Sequence, residues 1–527
     1  MSQFSAAVTP GRSLGFLALG SSLHDIVTRL KAEPQTFGKL ELIYSPDHPV
    51  TEPVIVSLPT NGLRLRFDGP EQRLRLIEIT DFSKSKLTYK NIDIVKPASP
   101  ASPSSTSSSI PDSSSAGPTF KHIYNKLLAP SYPGDYVPPD ANGDGKYGVY
   151  ILSYPGIAFT FPVLASTWNP SKDYATMLAL PSTKPATSMA VFIGDSWVEA
   201  QKVLYDELLE DPRSYSPSHK GKDVYPDEIS LVNIFGEGKL RLDRAWGSTP
   251  FWLFLGQTTP QELVAELGPP DAIYRKSDQR MAIHKARAGS ESQQTRPHLE
   301  PPGQDDSTDT DASSIRTGTS VSGDESDSGS VDGKMSKECF YNYFYHGFDI
   351  LVSPPTSPSR PPPSTPTAIS DDHPSPPDQT LLSPAPLVAT KLILHSNIPG
   401  SYAFNRHRRC RWSLSYLSSP SPPTSESPYS EIATRLHEEW KSIYATEEEA
   451  VQRQRGMVLN RDWGDSPGSS VDLLGDWEEG TTGAGGRGEG VASAGGNGGL
   501  GNTTLYGFPG LVFEVLRGGV VCGLTVF

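Results

Sequence analysis

The chain has 527 residues, 50 of them proline and 47 glycine, and a formal charge of −14. The length allows several domains, but so much proline and glycine excludes one packed core spanning all of it. Cys339, Cys410 and Cys522 are too few and too scattered for a disulfide framework or a zinc site, and outside one acidic tract the charge balance is too mild for a dedicated nucleic-acid binder. That tract, residues 303–332, holds eight acids against Arg316 alone, a charge of −7, and reads as a solvating segment. There is no visible secretory signal and no apolar run near the ~20 residues of a membrane-spanning helix. The expected location is cytoplasmic, with any membrane contact peripheral or carried by a partner.

In chain order, the first unit covers 12–96. Ser22 and Asp25 are a weak cap for a helix whose stripe is Ile26, Val27 and Leu30. Gly62 then leads Leu63, Leu65 and Phe67, an alternation that places every second side chain on one sheet face, and a second apolar strand returns over 74–79. After a Ser/Pro-rich segment at 97–118, a second unit (119–250) offers a helix at 120–127, Gly156 followed by Ile157, Phe159 and Phe161, a return strand at 190–193, and extra strands. The third unit, 251–416, opens with a capping box of Thr259 and Glu262 before Leu263, Val264 and Leu267. In it Gly347 leads Phe348, Ile350 and Val352, and a strand returns at 391–394. A linker (417–429) precedes the fourth unit, 430–527, with a helix at 432–444, Gly510 leading Leu511, Phe513 and Val515, and a return strand at 520–526. Segments 287–337, 353–386 and 464–501 interrupt the last two units; they are too poor in apolar residues to offset chain entropy and are expected to be disordered insertions. The expected fold class is α+β, with repeated helix-plus-β-hairpin modules forming mainly antiparallel sheets, in which Gly62, Gly156, Gly347 and Gly510 are structural turn glycines.

Chemistry-bearing motifs are sparse. Asp140, Asn142, Asp144 and Gly145 imitate the start of a calcium loop, yet the twelfth position is Ile151 where a bidentate Glu belongs, so a polar hairpin loop is the better reading. Gly483, Gly485 and Gly488 match a dinucleotide fingerprint only as letters in low-complexity sequence. The eleven histidines show no metal-ligand spacing, and no nucleophile elbow, phosphate loop or zinc helix occurs. No catalytic residue, cofactor or metal is expected, and the chain does not read as an enzyme. Arg406, His407, Arg408, Arg409 and Arg411, followed by Trp412, form the densest basic cluster. Such a run is a candidate patch for an anionic lipid or a partner, because guanidinium forks match phosphate oxygens. The competing and favoured reading is a strand with Cys410, Trp412 and Leu414 inward and Arg409, Arg411 and Ser413 outward. Ser353-Pro354 and Ser357-Pro358 are candidate phosphorylation sites in extended chain.

Several stretches carry a family resemblance: Arg12-Ser13-Leu14-Gly15, Asn61-Gly62-Leu63-Arg64-Leu65-Arg66-Phe67-Asp68, Tyr341-Asn342-Tyr343-Phe344 and, most distinctive, Leu394-His395-Ser396-Asn397-Ile398-Pro399-Gly400-Ser401-Tyr402-Ala403-Phe404-Asn405. With these the chain resembles the phagosome assembly factor family. The resemblance implies a non-enzymatic adaptor or scaffold that associates with a β-propeller partner and is recruited to the phagophore assembly site during autophagy. It supplies no catalytic residues to carry over. The basic run supports an alternative, a peripheral phosphoinositide-binding protein of Golgi or endosomal vesicle trafficking.

Overall fold

The computed structural model of the chain describes residues 3–96, 117–128, 134–139, 146–180, 183–206, 227–245, 249–275, 338–355, 387–417, 420–459 and 502–527. The calcium-like loop 140–145, the glycines at 483–488, Ser357 and nearly all of the expected insertions lie outside them.

Strand β1 (Phe4–Thr9) alternates buried Phe4, Ala6 and Val8 with exposed neighbours, so one face meets the core. It pairs with β2 (Ser13–Leu14), which turns into β3 (Leu17–Ala18). Helix α1 (Leu23–Ala32) follows because Ser22 caps it, its hydroxyl accepting from the Asp25 backbone N–H, while Arg29 and Lys31 in the last turn suit the helix dipole. Its buried stripe is Leu23, Ile26, Val27 and Leu30. A meander of β4 (Glu41–Ile43), β5 (Val54–Leu58), β6 (Leu63–Phe67) and β7 (Leu74–Ile79) is antiparallel throughout. Then β8 (Ser85–Tyr89) leaves it to lie parallel to β1, with β9 (Ile92–Asp93) at its flank. A short helix α2 (Phe120–His122), continued by a π-turn (Ile123–Leu127), leads to β10 (Asp135–Val137), β11 (Tyr147–Tyr154), β12 (Ile157–Leu164), α3 (Tyr174–Leu178) and β13 (Ser188–Val191). Pairing of β13 with β7 fuses the two meanders into one eight-stranded sheet, β10-β11-β12-β13-β7-β6-β5-β4. Helix α4 (Trp197–Lys202) covers part of the far face through Ala200, against Leu76, Ala158 and Phe192.

The C-terminal half starts with β14 (Ile229–Ile234), β15 (Lys239–Arg244) and β16 (Phe251–Phe254), then α5 (Pro260–Leu267), whose capping box of Thr259 and Glu262 is complete. Strands β17 (Ala272–Arg275), β18 (Cys339–Tyr343), β19 (Phe348–Ser353) and β20 (Val388–His395) form a meander, and β21 (Trp412–Leu414) returns parallel to β14. After α6 (Tyr429–Trp440) and α7 (Glu447–Arg453), β22 (Met457–Leu459), β23 (Thr503–Phe508), β24 (Leu511–Leu516) and β25 (Val521–Val526) form the last meander. The second large sheet runs β17-β18-β19-β20-β25-β24-β23-β22. Mostly antiparallel sheets with few helices make the chain broadly α+β.

Two main cores result, one under each large sheet. Ile229, Leu240 and Leu253 belong to the second, so β14 to β16 pack with the C-terminal half.

The glycines that open the hairpins all have positive φ: Gly62 64°, Gly156 77°, Gly347 83° and Gly510 74°. Three of them also touch other segments, Gly62 meeting Asp81, whose carbonyl would lie 2.4 Å from an added Cβ. A Cβ on Gly156 would sit 2.1 Å from the Gly11 backbone nitrogen, and one on Gly347 would sit 2.5 Å from the Arg408 carbonyl. Those turns are seats for a second segment of chain as well as reversals.

Candidate functional site

After β20 the chain crosses to the N-terminal half through the loop 396–411 before entering β21. Its course needs unusual backbone: Asn397 (φ 47°) and Asn405 (φ 61°) are left-handed, and so is Gln72 (φ 54°), which faces them. Gln72 Nε2 donates to the Asn397 carbonyl and Asn397 Nδ2 donates to Gln72 Oε1, both at 2.8 Å, while the Asn405 N–H donates to Asn397 Oδ1 at 2.7 Å. Each such conformation costs roughly 1–3 kcal/mol and persists only where its surroundings hold it; here three meet at one contact. The same loop buries Phe404 in the first core. Tyr44 packs so closely that a Cβ on Gly400 would lie 2.5 Å from its hydroxyl.

The basic run falls in this crossing and mostly turns inward, where the sequence reading had its charges on an exposed face or patch. The Arg408 side chain, 3% exposed, meets Asp25 Oδ2 at 2.5 Å, Glu228 Oε2 at 3.1 Å and the Ser22 hydroxyl at 3.1 Å, and lies over the Tyr345 ring at 4.3 Å. Glu228 also pairs with Arg73. Arg409, 1% exposed, donates to the Pro70 and Ser396 carbonyls at 2.6 and 2.8 Å and pairs with Glu426. Arg411 bridges Glu426 and Glu71, at 2.9 and 3.1 Å. His407 is buried; Arg406 is exposed and lies over Tyr402 at 4.7 Å. Cys410, Trp412 and Leu414 do point into the core. Ser413, expected to face water, is buried because β21 is flanked by β14 and bridged to Thr424. The guanidinium groups of Arg408 and Arg409 are thus occupied by carboxylates and carbonyls from both halves of the chain. Burial alone would raise the Glu426 carboxyl, but Arg409 and Arg411 outweigh it and hold it below its usual range.

Beside the seam, Asp349 on β19 receives two imidazoles. His395 Nε2 approaches Oδ2 and His407 Nε2 approaches Oδ1, each at 2.9 Å. The rings stack with centroids 3.9 Å apart, and Asn342 Nδ2 donates to Oδ1 at 2.8 Å. Burial would raise the Asp349 carboxyl, yet the two histidine hydrogen bonds prevail and hold it well below the ordinary range. Burial pushes His407 down to about 4, against the pull of Asp349. One ligand atom from each of Asp349, His395 and His407 lies within 4.8 Å of the others. Sequence spacing hid this set, which joins two strands and a loop; an acid within the otherwise apolar run Phe348–Ser353 was the available signal. The Cys410 thiol beside the seam is buried, and burial pushes it up to about 12. Ser353, expected in accessible chain, is buried at the end of β19 with its hydroxyl 2.9 Å from that of Thr390.

A family model described as phagosome assembly factor 1 matches residues 13–299 and 386–527. The chain belongs to this family. PHAF1 proteins similar to it include one from Arabidopsis thaliana, 24% identical over 410 residues, covering 77% of this chain and 74% of the relative. One from Drosophila melanogaster is 21% identical over 543 residues (99% and 93%), and one from Caenorhabditis elegans 27% over 280 residues (51% and 60%). No solved structure matches the chain. Gln72, Glu228, His395 and the basic run fall inside the segments matched by the PHAF1 model, and Asp349 lies between them. The PHAF1 name points to phagosome or autophagosome assembly. Among the described residues no helix is long and apolar enough to cross a membrane.

Proposed function

We propose that this chain is a non-enzymatic adaptor, cytoplasmic and recruited peripherally to the phagophore assembly site, that docks a β-propeller protein during autophagy. The observation that carries this reading is at the ends of the two large sheets. Edge strands β4, β10, β17 and β22 expose Ile43, Val137, Ile273, Tyr274, Met457 and Val458, with Tyr274 63% and Val458 69% accessible. Among the described residues no further strand pairs with these edges; a strand edge carrying apolar side chains is a template for a partner strand, and proteins ordinarily guard such edges with charge. Membership of the PHAF1 family supports the setting.

The same proposal takes the framework to be four helix-plus-hairpin modules, over 12–96, 119–250, 251–416 and 430–527. Support comes from the four glycine-opened hairpins β5–β6, β11–β12, β18–β19 and β23–β24, each followed by a third antiparallel strand. The test is capture of propeller proteins from starved cells by the full chain and by a variant with Ile273, Tyr274, Met457 and Val458 changed to Lys. Capture by the wild type and its loss in the folded variant is the expected result. Equal capture by both would remove the edges from the mechanism, and no propeller with either would remove the adaptor reading.

A further inference from the structure

Asp349 is placed by simple strand geometry. Phe348, Ile350 and Val352 enter the second core, so Asp349 points to the opposite face of the sheet. There its cross-strand partners are Asn342 on β18 and Ile393 on β20, and His395 follows Ile393 on the same face. The crossing loop then lowers His407 onto this row, with Phe344 packed edge-on against its ring at 4.9 Å.

What results is a carboxylate, only 8% exposed, whose ion-pair partners among the described residues are two imidazoles and no Lys or Arg. The nearby arginines serve other acids: Arg408 meets Asp25 and Glu228, and Arg409 meets Glu426. A buried anion needs compensating partners, and here they are Asn342 Nδ2 at 2.8 Å and two imidazole nitrogens at 2.9 Å, one on each carboxylate oxygen. From this arrangement we propose that Asp349, His395 and His407 form a binding site for a divalent first-row transition-metal ion, with Zn²⁺ the first candidate. Two imidazole nitrogens and one carboxylate oxygen are the donor set of such ions; Ca²⁺ and Mg²⁺ prefer oxygen alone, and a thiolate site is excluded because Cys410 is not part of the group. Each imidazole Nε2 lies 2.9 Å from a different oxygen of Asp349, and one ligand atom from each of the three residues lies within 4.8 Å of the others, so an ion that gathers them displaces any Nε2 proton shared with the carboxylate. Asn342 acts as the outer partner that orients the carboxylate. His395, 19% exposed, marks the side on which water completes the coordination.

The site's place gives it a role. The ion fastens the loop 396–411 to β19 and β20, and that loop carries Asn397, Phe404 and Arg408 into the N-terminal half. Metal binding therefore stabilises the junction between halves.

The test uses the full chain, stripped with EDTA and titrated with Zn²⁺ and with Co²⁺ at pH 7.5, following heat and the visible Co²⁺ spectrum. One equivalent binds, raises the thermal midpoint and slows proteolysis between the halves. His395→Gln, at the exposed rim of the site, remains folded and binds at least roughly 100-fold more weakly. Asp349→Asn behaves likewise, whereas the exposed control His437→Gln binds as the wild type does. No binding of either ion by the wild type at about 100 µM, or undiminished binding by folded His395→Gln, overturns the proposal.

Discussion

Replacing Arg408 by Met removes one guanidinium from a position where three residues of two other segments depend on it. Asp25 belongs to the first turn of α1, Glu228 directly precedes β14, and Ser22 is the cap of α1; all three meet the Arg408 side chain. Methionine keeps most of the stem volume, so the loss is that of charge and hydrogen bonds. Removing one partner of a buried ion pair costs about 3–5 kcal/mol, because the other is left as an uncompensated charge. Glu228 retains Arg73 and Asp25 remains 18% exposed, which places Arg408→Met near the lower end, about 3 kcal/mol. Urea unfolding followed by tryptophan fluorescence and far-ultraviolet circular dichroism measures it. Because Arg408 ties the two cores together, the variant should also separate transitions that coincide in the wild type. Adding Asp25→Asn and Glu228→Gln removes the stranded charges, so the triple variant should be more stable than the sum of its parts by about 1–3 kcal/mol. Stability within about 0.5 kcal/mol of wild type for Arg408→Met, together with lost binding to phosphoinositide vesicles, would refute this reasoning and make the run an exposed lipid patch.

Three further outcomes follow from the packing. Gly156→Ala should cost roughly 3 kcal/mol or more, since its Cβ collides with the Gly11 backbone in addition to the strained φ, while Gly510→Ala, whose nearest contact is 3.3 Å away, should cost about 1 kcal/mol; thermal melts rank them, and equal losses would contradict the close approach. Phe404→Ala empties a place in the first core from a loop of the other half and should cost about 3–5 kcal/mol, read by urea denaturation, with amide exchange rising around α1. Burial lowers His346 to about 4 from an unfolded value of 6.5, so the unfolded chain binds the extra proton between those values. Its contribution is complete above pH 6.5 and is lost as pH falls towards 4, by about 2 kcal/mol between pH 7.5 and pH 5. The difference in urea stability between those two pH values should be smaller by that amount in His346→Gln, and an unchanged difference would show that His346 titrates normally.

How much of this was legible in the sequence depended on distance along the chain. Alternation after Gly62, Gly156, Gly347 and Gly510 located β6, β12, β19 and β24, and the cap at Thr259 and Glu262 located α5, because period and capping are set by neighbours a few residues apart. The parallel pairings of β1 with β8 and β14 with β21 leave no local trace. The basic run shows the limit most clearly. Its alternation correctly turned Cys410 and Trp412 inward, but the same rule sent Arg409 and Ser413 to solvent. Period two tells which face a residue occupies; it is silent on whether a second body covers that face. Here Pro70, Glu71 and Glu426 cover it, and Glu71 lies 340 residues from the Arg411 it meets. A dense cluster of arginines within an apolar strand pattern is therefore ambiguous until its acids are found. The discriminating sign is compositional balance at long range, since guanidinium groups withdrawn from water must meet carboxylates withdrawn with them. Asp25, Glu71, Glu228 and Glu426 are those carboxylates, and each sits at a helix start, a turn or a strand entrance, where sequence alone reads an acid as ordinary surface.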